Sequence, residues 1–107
     1  MANVVWTHPA LDDLQRIIDF IALDKPNAAK GFAKEVFTKV SNLEKFPKRG
    51  KRSPELEDTF YLEMIVSPAR IIYRIEGDDV IILHILRGEM VLDSDLLSYR
   101  SSQDTNS

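Results

Sequence analysis

The chain has 107 residues, no cysteine and a net charge of −3, so it is long enough to bury a core without disulfides or thiolate chemistry. No apolar run approaches the roughly 18 residues of a membrane span, and the start of the chain lacks the pattern of a signal peptide. We therefore expect one cytoplasmic domain over residues 1–100, with no membrane contact, and a polar, disordered tail over residues 101–107.

Charge is distributed unevenly along the chain. Residues 25–52 carry nine Lys and Arg against two Glu, a net charge of +7, whereas residues 1–24 carry −3 and residues 53–107 carry −7. This asymmetry indicates either a solvated helix face and loop or a charged partner for the middle segment. The overall acidity argues against strong nonspecific binding of nucleic acid, which requires several neutralised phosphates.

The first part of the chain predicts a strand and a helix. Residues 3–6 form a short apolar run that is typical of an edge strand. Thr7 offers a side-chain oxygen to cap a helix over residues 9–23, and Asp12 and Asp13 fall in the first turn, where the helix dipole favours negative charge. The apolar stripe of this helix comprises Leu11, Leu14, Ile17, Ile18 and Ile21.

A second helix is predicted over residues 26–46. Asp24 or Asn27 can cap it, and Pro47 ends it because a proline disfavours helical geometry in the residue before it. Its apolar face comprises Ala29, Phe32, Ala33, Val36, Phe37, Val40 and Leu43. The short link makes the two helices an antiparallel hairpin, whose apolar faces can cover one side of a sheet.

Residues 59–88 predict an antiparallel three-stranded meander, preceded by an exposed basic loop over residues 47–58. Its strands are the runs 59–66, 70–76 and 80–86. Pro68 separates the first two runs, and Gly77 with its two following aspartates separates the last two.

The meander needs cover on both faces. Its middle strand alternates between apolar and charged residues, whereas its last strand is apolar on both faces. The predicted fold is therefore α+β, in the order β-α-α-β-β-β, with the helical hairpin on one face of the sheet. A short helix capped near Asp93 or Ser94 follows, and we expect the helix-free face to be left open for a partner.

Few residues indicate catalytic or metal chemistry. His84 lies within the most apolar strand, where a structural, hydrogen-bonded histidine is the better interpretation, and His8 precedes a helix as a surface residue. With two histidines and no cysteine, we expect no metal site and no cofactor. Arg70 and Arg74 share a strand face, where they either pair with nearby glutamates such as Glu63 and Glu76 or hold a polyanion.

The chain resembles the RelE/ParE superfamily of bacterial toxins in five segments that follow the family's order. They are W-T-x-P-A-L-x-D-L from Trp6, K-P-N-A-A from Lys25, L-x-x-F-P-x-x-G from Leu43, R-I-I-Y-R-I from Arg70 and V-I-I-L-H-I-L-R-G from Val80. Together they cover about residues 3–90. The resemblance implies the toxin of a type II toxin–antitoxin pair, which inhibits growth and maintains plasmids or prophages.

Two activities divide this superfamily. RelE-like members cut messenger RNA within the ribosome with arginine, lysine and tyrosine side chains, whereas ParE-like members bind and poison DNA gyrase. RelE-like nucleases carry an arginine at the position where this chain has Ile65, and basic residues where this chain has Gly88, Glu89 and Met90. They carry a tyrosine at the position of Ser94. ParE-like members often carry a histidine and paired basic residues after the last strand, and this chain departs from that pattern as well.

The resemblance therefore favours a ParE-like inhibitor of DNA gyrase that acts by non-covalent binding, without catalysis or a cofactor. The alternatives are a ribosome-dependent endoribonuclease and a non-toxic module that only binds its antitoxin. The expected partners are a cognate antitoxin that folds as it wraps the toxin, gyrase as target, and DNA only through the antitoxin. We expect the toxin and antitoxin to form a hetero-oligomer.

Exposure and position suggest two sets of binding residues. The target-binding set is Arg70, Arg74, Arg87, Glu89, Met90, Lys48, Arg49, Lys51 and Arg52. The antitoxin-binding set is Leu14, Ile18, Ile21, Phe32, Val36, Ile72, Ile82 and His84.

Overall fold

The structure, a computed structural model, describes residues 1–53, 55–56 and 60–105. For residues 104 and 105 it describes the backbone alone. Its strands are β1 (Asn3–Trp6), β2 (Lys51–Arg52), β3 (Tyr61–Val66), β4 (Ala69–Glu76) and β5 (Asp79–Arg87). Its α-helices are α1 (His8–Ala22), α2 (Pro26–Ser41) and α3 (Ser94–Thr105), and a 3₁₀ turn over Asn42–Glu44 follows α2. Among the described residues, no helix is long and apolar enough to cross a membrane.

The five strands form one mixed sheet in the order β1-β5-β4-β3-β2. The predicted meander is confirmed, since β3, β4 and β5 pair in antiparallel succession, and β1 is an edge strand that runs parallel to β5. The predicted loop over residues 47–58 contains β2, which pairs with Leu62 and Glu63 at the other edge. Two residues are too few to show alternation, so the sequence carried no strand signal there.

Both helices of the predicted hairpin are present. The Ala10 amide donates to Oγ1 of Thr7 at 3.3 Å, which confirms the predicted cap, and the Thr7 hydroxyl also donates to the Ile82 carbonyl at 2.7 Å. This side chain therefore joins the start of α1 to β5. The predicted cap of α2 is wrong, because Lys25 occupies the cap position without a side-chain hydrogen bond. Helix α2 ends at Ser41, before the predicted end at residue 46.

The main core lies between the helical hairpin and one face of the sheet. It includes Leu14, Val36, Val40, Tyr73 and Ile82, which are all 2% exposed or less. This packing confirms the α+β architecture that the apolar periodicity predicts.

The opposite face of the sheet is also covered, so the expectation of an open face is wrong. A second core cluster lies there, comprising Leu56, Ile72, Ile81, Leu83, Leu86, Leu92 and Leu97. Leu97 comes from α3 and is fully buried. Helix α3 extends to Thr105, so the predicted tail starts within a helix, and its last two residues lie outside the described part of the chain.

Candidate functional surface

A groove with a volume of about 520 Å³ lies beside α1, at the end of β5. We call it the α1–β5 groove. Its lining residues are Asp13, Arg16, Ile17, Phe20, His84, Ile85, Leu86, Arg87, Met90, Val91, Asp93 and Leu96. Three of its large apolar side chains are open to solvent, with exposed fractions of 57% for Phe20, 51% for Met90 and 86% for Val91. Apolar side chains grouped around a groove are typical of a binding surface.

The groove exists because β1 is shorter than β5. Strand β1 pairs with β5 only as far as Ile82, and the chain then leaves the sheet into α1. The β4–β5 register shifts just beyond this point, since Tyr73 pairs with Ile82 while Ile72 pairs with His84. Leu83 is therefore an extra residue, as in a β-bulge, and the edge of β5 beyond it lacks a strand partner.

Asp13 satisfies this open strand edge. Its Oδ2 atom accepts the Ile85 amide at 3.1 Å and lies 2.6 Å from Nδ1 of His84. Arg100, from α3, donates to the same oxygen at 2.6 Å and to the Leu83 carbonyl at 3.0 Å. The carboxylate and guanidinium thus occupy the amide and carbonyl that a neighbouring strand would otherwise bind, which protects the edge from pairing with another chain.

Asp13 is ionised at neutral pH although it is only 6% exposed. Burial raises the pKa of its carboxyl, but hydrogen bonds with His84, Arg100 and the Ile85 amide outweigh burial and lower that pKa to about 2. Arg16 adds a contact of 3.0 Å to Oδ1 from the solvent side. The base of the α1–β5 groove is therefore a compact charged cluster beneath an apolar rim.

The cluster confirms the interpretation of His84 as a hydrogen-bonded structural histidine, whose side chain is 13% exposed. The interpretation of Asp12 and Asp13 as first-turn dipole partners is wrong, because α1 begins at His8 and has no acidic residue in its first turn; Asp13 instead faces the sheet. A signal was present in the sequence: Asp13 lies on the same helix face as Ala10, Leu14 and Ile17. A single charge within an apolar stripe indicates a buried partner.

Arg87 and Met90 bring part of the predicted target-binding set to the mouth of the groove. The Arg87 guanidinium lies 4.6 Å from the centre of the Phe20 ring and pairs with Glu89 at 3.2 Å. Cation–π contact and a carboxylate partner hold this arginine across the groove mouth. The role of these three predicted residues in target binding stays a prediction.

Arg70 is enclosed by glutamates in this conformation. It is 8% exposed, its Nε donates to Glu63 at 2.6 Å, and its Nη2 donates to Glu55 and, at 3.4 Å, to Ser53. The hydrogen bond from Arg70 and one from the Leu92 amide lower the pKa of Glu55. The guanidinium therefore joins β3, β4 and the segment around Ser53, and its role in target binding stays a prediction.

Arg74 is also 8% exposed and pairs with Glu76. Of the two alternatives for these arginines, the structure shows pairing with glutamate. A polyanion would have to displace those carboxylates before it could bind either arginine, and the role of Arg74 in target binding also stays a prediction.

The other four predicted target-binding residues, Lys48, Arg49, Lys51 and Arg52, are exposed and lie away from the groove. The hydroxyl of Tyr73 holds their loop by accepting the Gly50 amide at 2.8 Å and donating to the Pro47 carbonyl at 2.9 Å. Burial raises the pKa of Tyr73, which keeps this hydroxyl protonated as a donor. A side chain at position 50 would place its Cβ 2.6 Å from the hydroxyl, so only glycine fits there.

Most of the predicted antitoxin-binding residues belong to the cores. Leu14, Phe32, Val36, Ile72 and Ile82 are between 0 and 7% exposed, so they cannot contact a partner in this conformation. Ile18 and Ile21 are partly buried against the helical core, and His84 reaches the groove. Sequence periodicity identified these side chains as apolar faces but could not show that α3 and the hairpin already cover them.

The helical hairpin, the mixed sheet and the bulged edge of β5 together define a small α+β protein with a partner-sized groove. Residues 4–92 match the family described as "ParE toxin of type II toxin-antitoxin system, parDE", and the chain belongs to that family.

Two toxins from Caulobacter vibrioides are similar in sequence. Toxin RelE2 is 36% identical over 87 residues, which is 81% of this chain and 92% of that toxin. Toxin ParE3 is 30% identical over 97 residues, which is 90% of this chain and 96% of that toxin. The chain is therefore a RelE/ParE superfamily toxin, and both branch names occur among its relatives.

A solved structure, described as a chromosomal ParDE TA system from P. aeruginosa, is similar in fold. It has a TM-score of 0.71 and 25% sequence identity, and the match covers 83% of this chain and 98% of that chain. The α+β fold expected from the sequence resemblance is thus confirmed.

Proposed function

We propose that this toxin acts in the cytoplasm by binding DNA gyrase non-covalently, without catalysis or a cofactor, and that a cognate antitoxin neutralises it. The observation that carries the proposal is the state of Arg70. Phosphate cleavage by a nuclease of this superfamily requires cationic side chains that are free to contact the phosphate. Here the guanidinium is enclosed by Glu63 and Glu55.

The surroundings of Arg70 also oppose RNA cleavage. Ile65, where the nuclease pattern wants an arginine, is 66% exposed and pairs across the strands with Arg70. Beyond β5, Arg87 is followed by Gly88, Glu89 and Met90 rather than by further cations. An RNA backbone would meet an apolar side chain and carboxylates where it needs positive charge.

Inhibition by binding requires only a complementary surface, and the α1–β5 groove supplies one. Its exposed apolar side chains, Phe20, Met90 and Val91, can enter a pocket on the target, while Arg87 can pair with a target carboxylate. The buried Asp13 cluster beneath keeps α1, β5 and α3 in fixed relative positions, so the surface is preorganised for binding.

The same groove suits the antitoxin. An acidic, amphipathic segment that folds on binding would place its apolar side chains on Ile17, Phe20 and Leu86. Its carboxylates would then lie near Arg16 and Arg87, which also line the groove. An antitoxin seated there would cover the residues that we assign to gyrase, so neutralisation follows from occlusion of the target-binding surface.

A paired assay tests this function. The purified chain is added to a gyrase supercoiling reaction and, in parallel, to translating ribosomes that carry a labelled message. We expect supercoiling to stop while the message stays intact. Cleavage of the message with normal supercoiling would instead establish the ribosome-dependent endoribonuclease, which the similarity to Toxin RelE2 keeps as the second candidate.

A matched pair of variants assigns the effect to the groove. Val91 and Leu23 are both 86% exposed, but only Val91 lines the groove. We expect Val91→Asp to abolish gyrase inhibition and Leu23→Asp to retain it, with both proteins folded. If Val91→Asp is as active as the parent in both the supercoiling and the RNA-cleavage assay, the groove is not the target-binding surface.

A further inference from the structure

We propose that the toxin has a second, independent interaction surface, which binds single-stranded nucleic acid through the loop over residues 45–52 and the exposed ring of Phe60. Its cations are Lys45, Lys48, Arg49, Lys51 and Arg52, and all five are exposed. We call this set the basic loop surface. It goes beyond gyrase inhibition, because it needs neither gyrase nor the α1–β5 groove.

The cations of this surface are available to a ligand. Across the described residues, no carboxylate forms an ion pair with any of the five. Glu63 lies opposite Lys51 in the β2–β3 register, but Arg70 holds its carboxylate. This contrasts with Arg70 and Arg74, whose charges are compensated within the fold. Five free cations on one short loop fit a row of phosphates.

Two exposed aromatic rings lie close to these cations. Phe46 is 56% exposed, and Arg49 lies 5.3 Å from the centre of its ring. Phe60 is 88% exposed and borders a concavity together with Lys48 and Arg52. Lys48 also borders the concavity that contains Phe46, so this lysine is close to both rings.

This combination of rings and cations favours single strands over duplex. Every unpaired base has a face that can stack on an aromatic ring, whereas duplex bases are already stacked on one another. Phe46 and Phe60 would otherwise be large apolar side chains left in water beside charged neighbours.

The loop is held in one shape before any ligand arrives. The Tyr73 hydroxyl bonds both Pro47 and Gly50, and β2 joins the loop to the sheet through β3. A loop fixed in this way loses little conformational entropy on binding.

Lys51 and Arg52 of the basic loop surface lie at the sheet edge opposite to the groove. Strand β2 is one edge strand, while the groove borders β5, three strands away, which is about 14 Å at the usual strand spacing. The local charge also differs from that of the whole chain, since residues 25–52 carry +7 although the net charge is −3. The acidity of the chain therefore limits affinity without removing this local site.

Fluorescence anisotropy with a labelled 20-nucleotide single-stranded DNA, an RNA of the same length and a DNA duplex tests the proposal, in the absence of gyrase and ribosomes. We expect both single strands to bind more tightly than the duplex and to remain uncut. Contacts with about four phosphates predict a roughly 50-fold loss of affinity when salt rises fourfold from 50 mM. A signal that does not depend on salt would contradict the proposal.

Two charge-matched variants assign the binding. Lys48→Glu/Arg52→Glu changes the basic loop surface, and Lys25→Glu/Lys30→Glu makes the same charge change at the other end of α2, about 24 Å away along a helix of this length. We expect Lys48→Glu/Arg52→Glu to lose at least tenfold in affinity for the single strand, and Lys25→Glu/Lys30→Glu to lose less than twofold. Equal losses would show that only net charge matters, which overturns the proposal.

A third variant tests the aromatic part. Phe60→Ala should weaken single-strand binding severalfold and leave duplex binding unchanged, because only unpaired bases stack on the ring. A polyglutamate peptide that displaces the strand at equal charge concentration would show an acidic protein segment to be the better ligand and would overturn the assignment to nucleic acid. Lys25→Glu/Lys30→Glu and Phe60→Ala should still inhibit gyrase, so failure here is distinguishable from failure of the proposed function.

Discussion

The carboxylate of Asp13 accepts the backbone amide of Ile85 at 3.1 Å, and it thereby does for the end of β5 what β1 does for its beginning. One side chain of α1 thus replaces a strand. It also binds Arg100 from α3, so elements that are far apart in the sequence meet at one oxygen atom. The groove that we assign to partner binding rests on this junction.

Replacement of Asp13 by Asn should lower the free energy of unfolding by about 3 kcal/mol, because it leaves the largely buried Arg100 without its charged partner. Urea denaturation measures this change. Asp12→Asn is the matched control, since Asp12 is exposed one residue earlier in the same helix, and we expect its effect to stay within about 0.5 kcal/mol. Equal destabilisation by the two variants would contradict the role of the junction.

The same carboxylate gives a prediction for pH. The pKa of Asp13 is about 2 in the folded chain, below the ordinary aspartate value of 3.8, so its folded-state pKa is depressed. The stabilisation that the ionised Asp13 carboxylate gives to the folded chain is fully present above the unfolded-state pKa, and it is lost as the pH falls from about 4 through 2. The difference amounts to about 2 kcal/mol. The free energies of unfolding of the parent and of Asp13→Asn should therefore converge as the pH falls from 5 to 2. Curves of unfolding free energy against pH that stay parallel would contradict the prediction.

The sequence predicted the elements whose pattern is long and regular. Helices α1 and α2 and the three strands of the meander each carry an apolar periodicity, and this periodicity identifies both the element and its buried face. His84 was predicted as structural for a related reason, since an imidazole within such an apolar strand needs a partner inside the fold.

Other features depend on contacts that periodicity does not encode. Helix α3 is rich in Ser and polar residues, and its covering contact rests on few buried side chains, such as Leu97. The sequence predicted a short helix here but not that it packs on the sheet, so the second face of the sheet appeared to be free for an antitoxin. The bulge at Leu83 changes which side chains of β5 point to each face, and no residue type in that run marks it. The candidate groove depends on this bulge and on a β1–β5 register that ends at Ile82, and neither could be predicted.

The space around two glycines predicts opposite effects on stability when each is replaced by alanine, because Gly50 lies against the Tyr73 hydroxyl and Gly31 lies in open space. Gly50→Ala would place a Cβ 2.6 Å from that hydroxyl and 2.9 Å from the Glu63 carbonyl, so we expect a loss of stability of about 2 kcal/mol. Gly31→Ala lies within α2 with nothing within 4 Å, and it should stabilise the chain by about 0.5–1 kcal/mol. Thermal unfolding of both variants, compared with the parent, is the measurement.

Leu97 tests whether α3 is an integral part of the fold. Its side chain is fully buried in the second core cluster, so Leu97→Ala should cost about 2–5 kcal/mol. Leu23→Ala removes the same atoms from a side chain that is 86% exposed and should cost less than about 1 kcal/mol. A small effect at both positions would show that α3 contributes little to stability and that the sheet face beneath it is accessible after all.

Arg87 separates function from stability. It is only partly buried, and its partners are the exposed Phe20 ring and Glu89, so Arg87→Ala should change the unfolding free energy by less than about 1 kcal/mol. If the groove binds gyrase, the same substitution removes the cation at its mouth and should raise the concentration needed for half-inhibition of supercoiling by about tenfold, equivalent to 1.4 kcal/mol. Lys30→Ala, an exposed cation on α2, should leave inhibition unchanged. Full inhibition by Arg87→Ala would remove this arginine from the target-binding surface, and unfolding of that variant would show that its ring contact is structural.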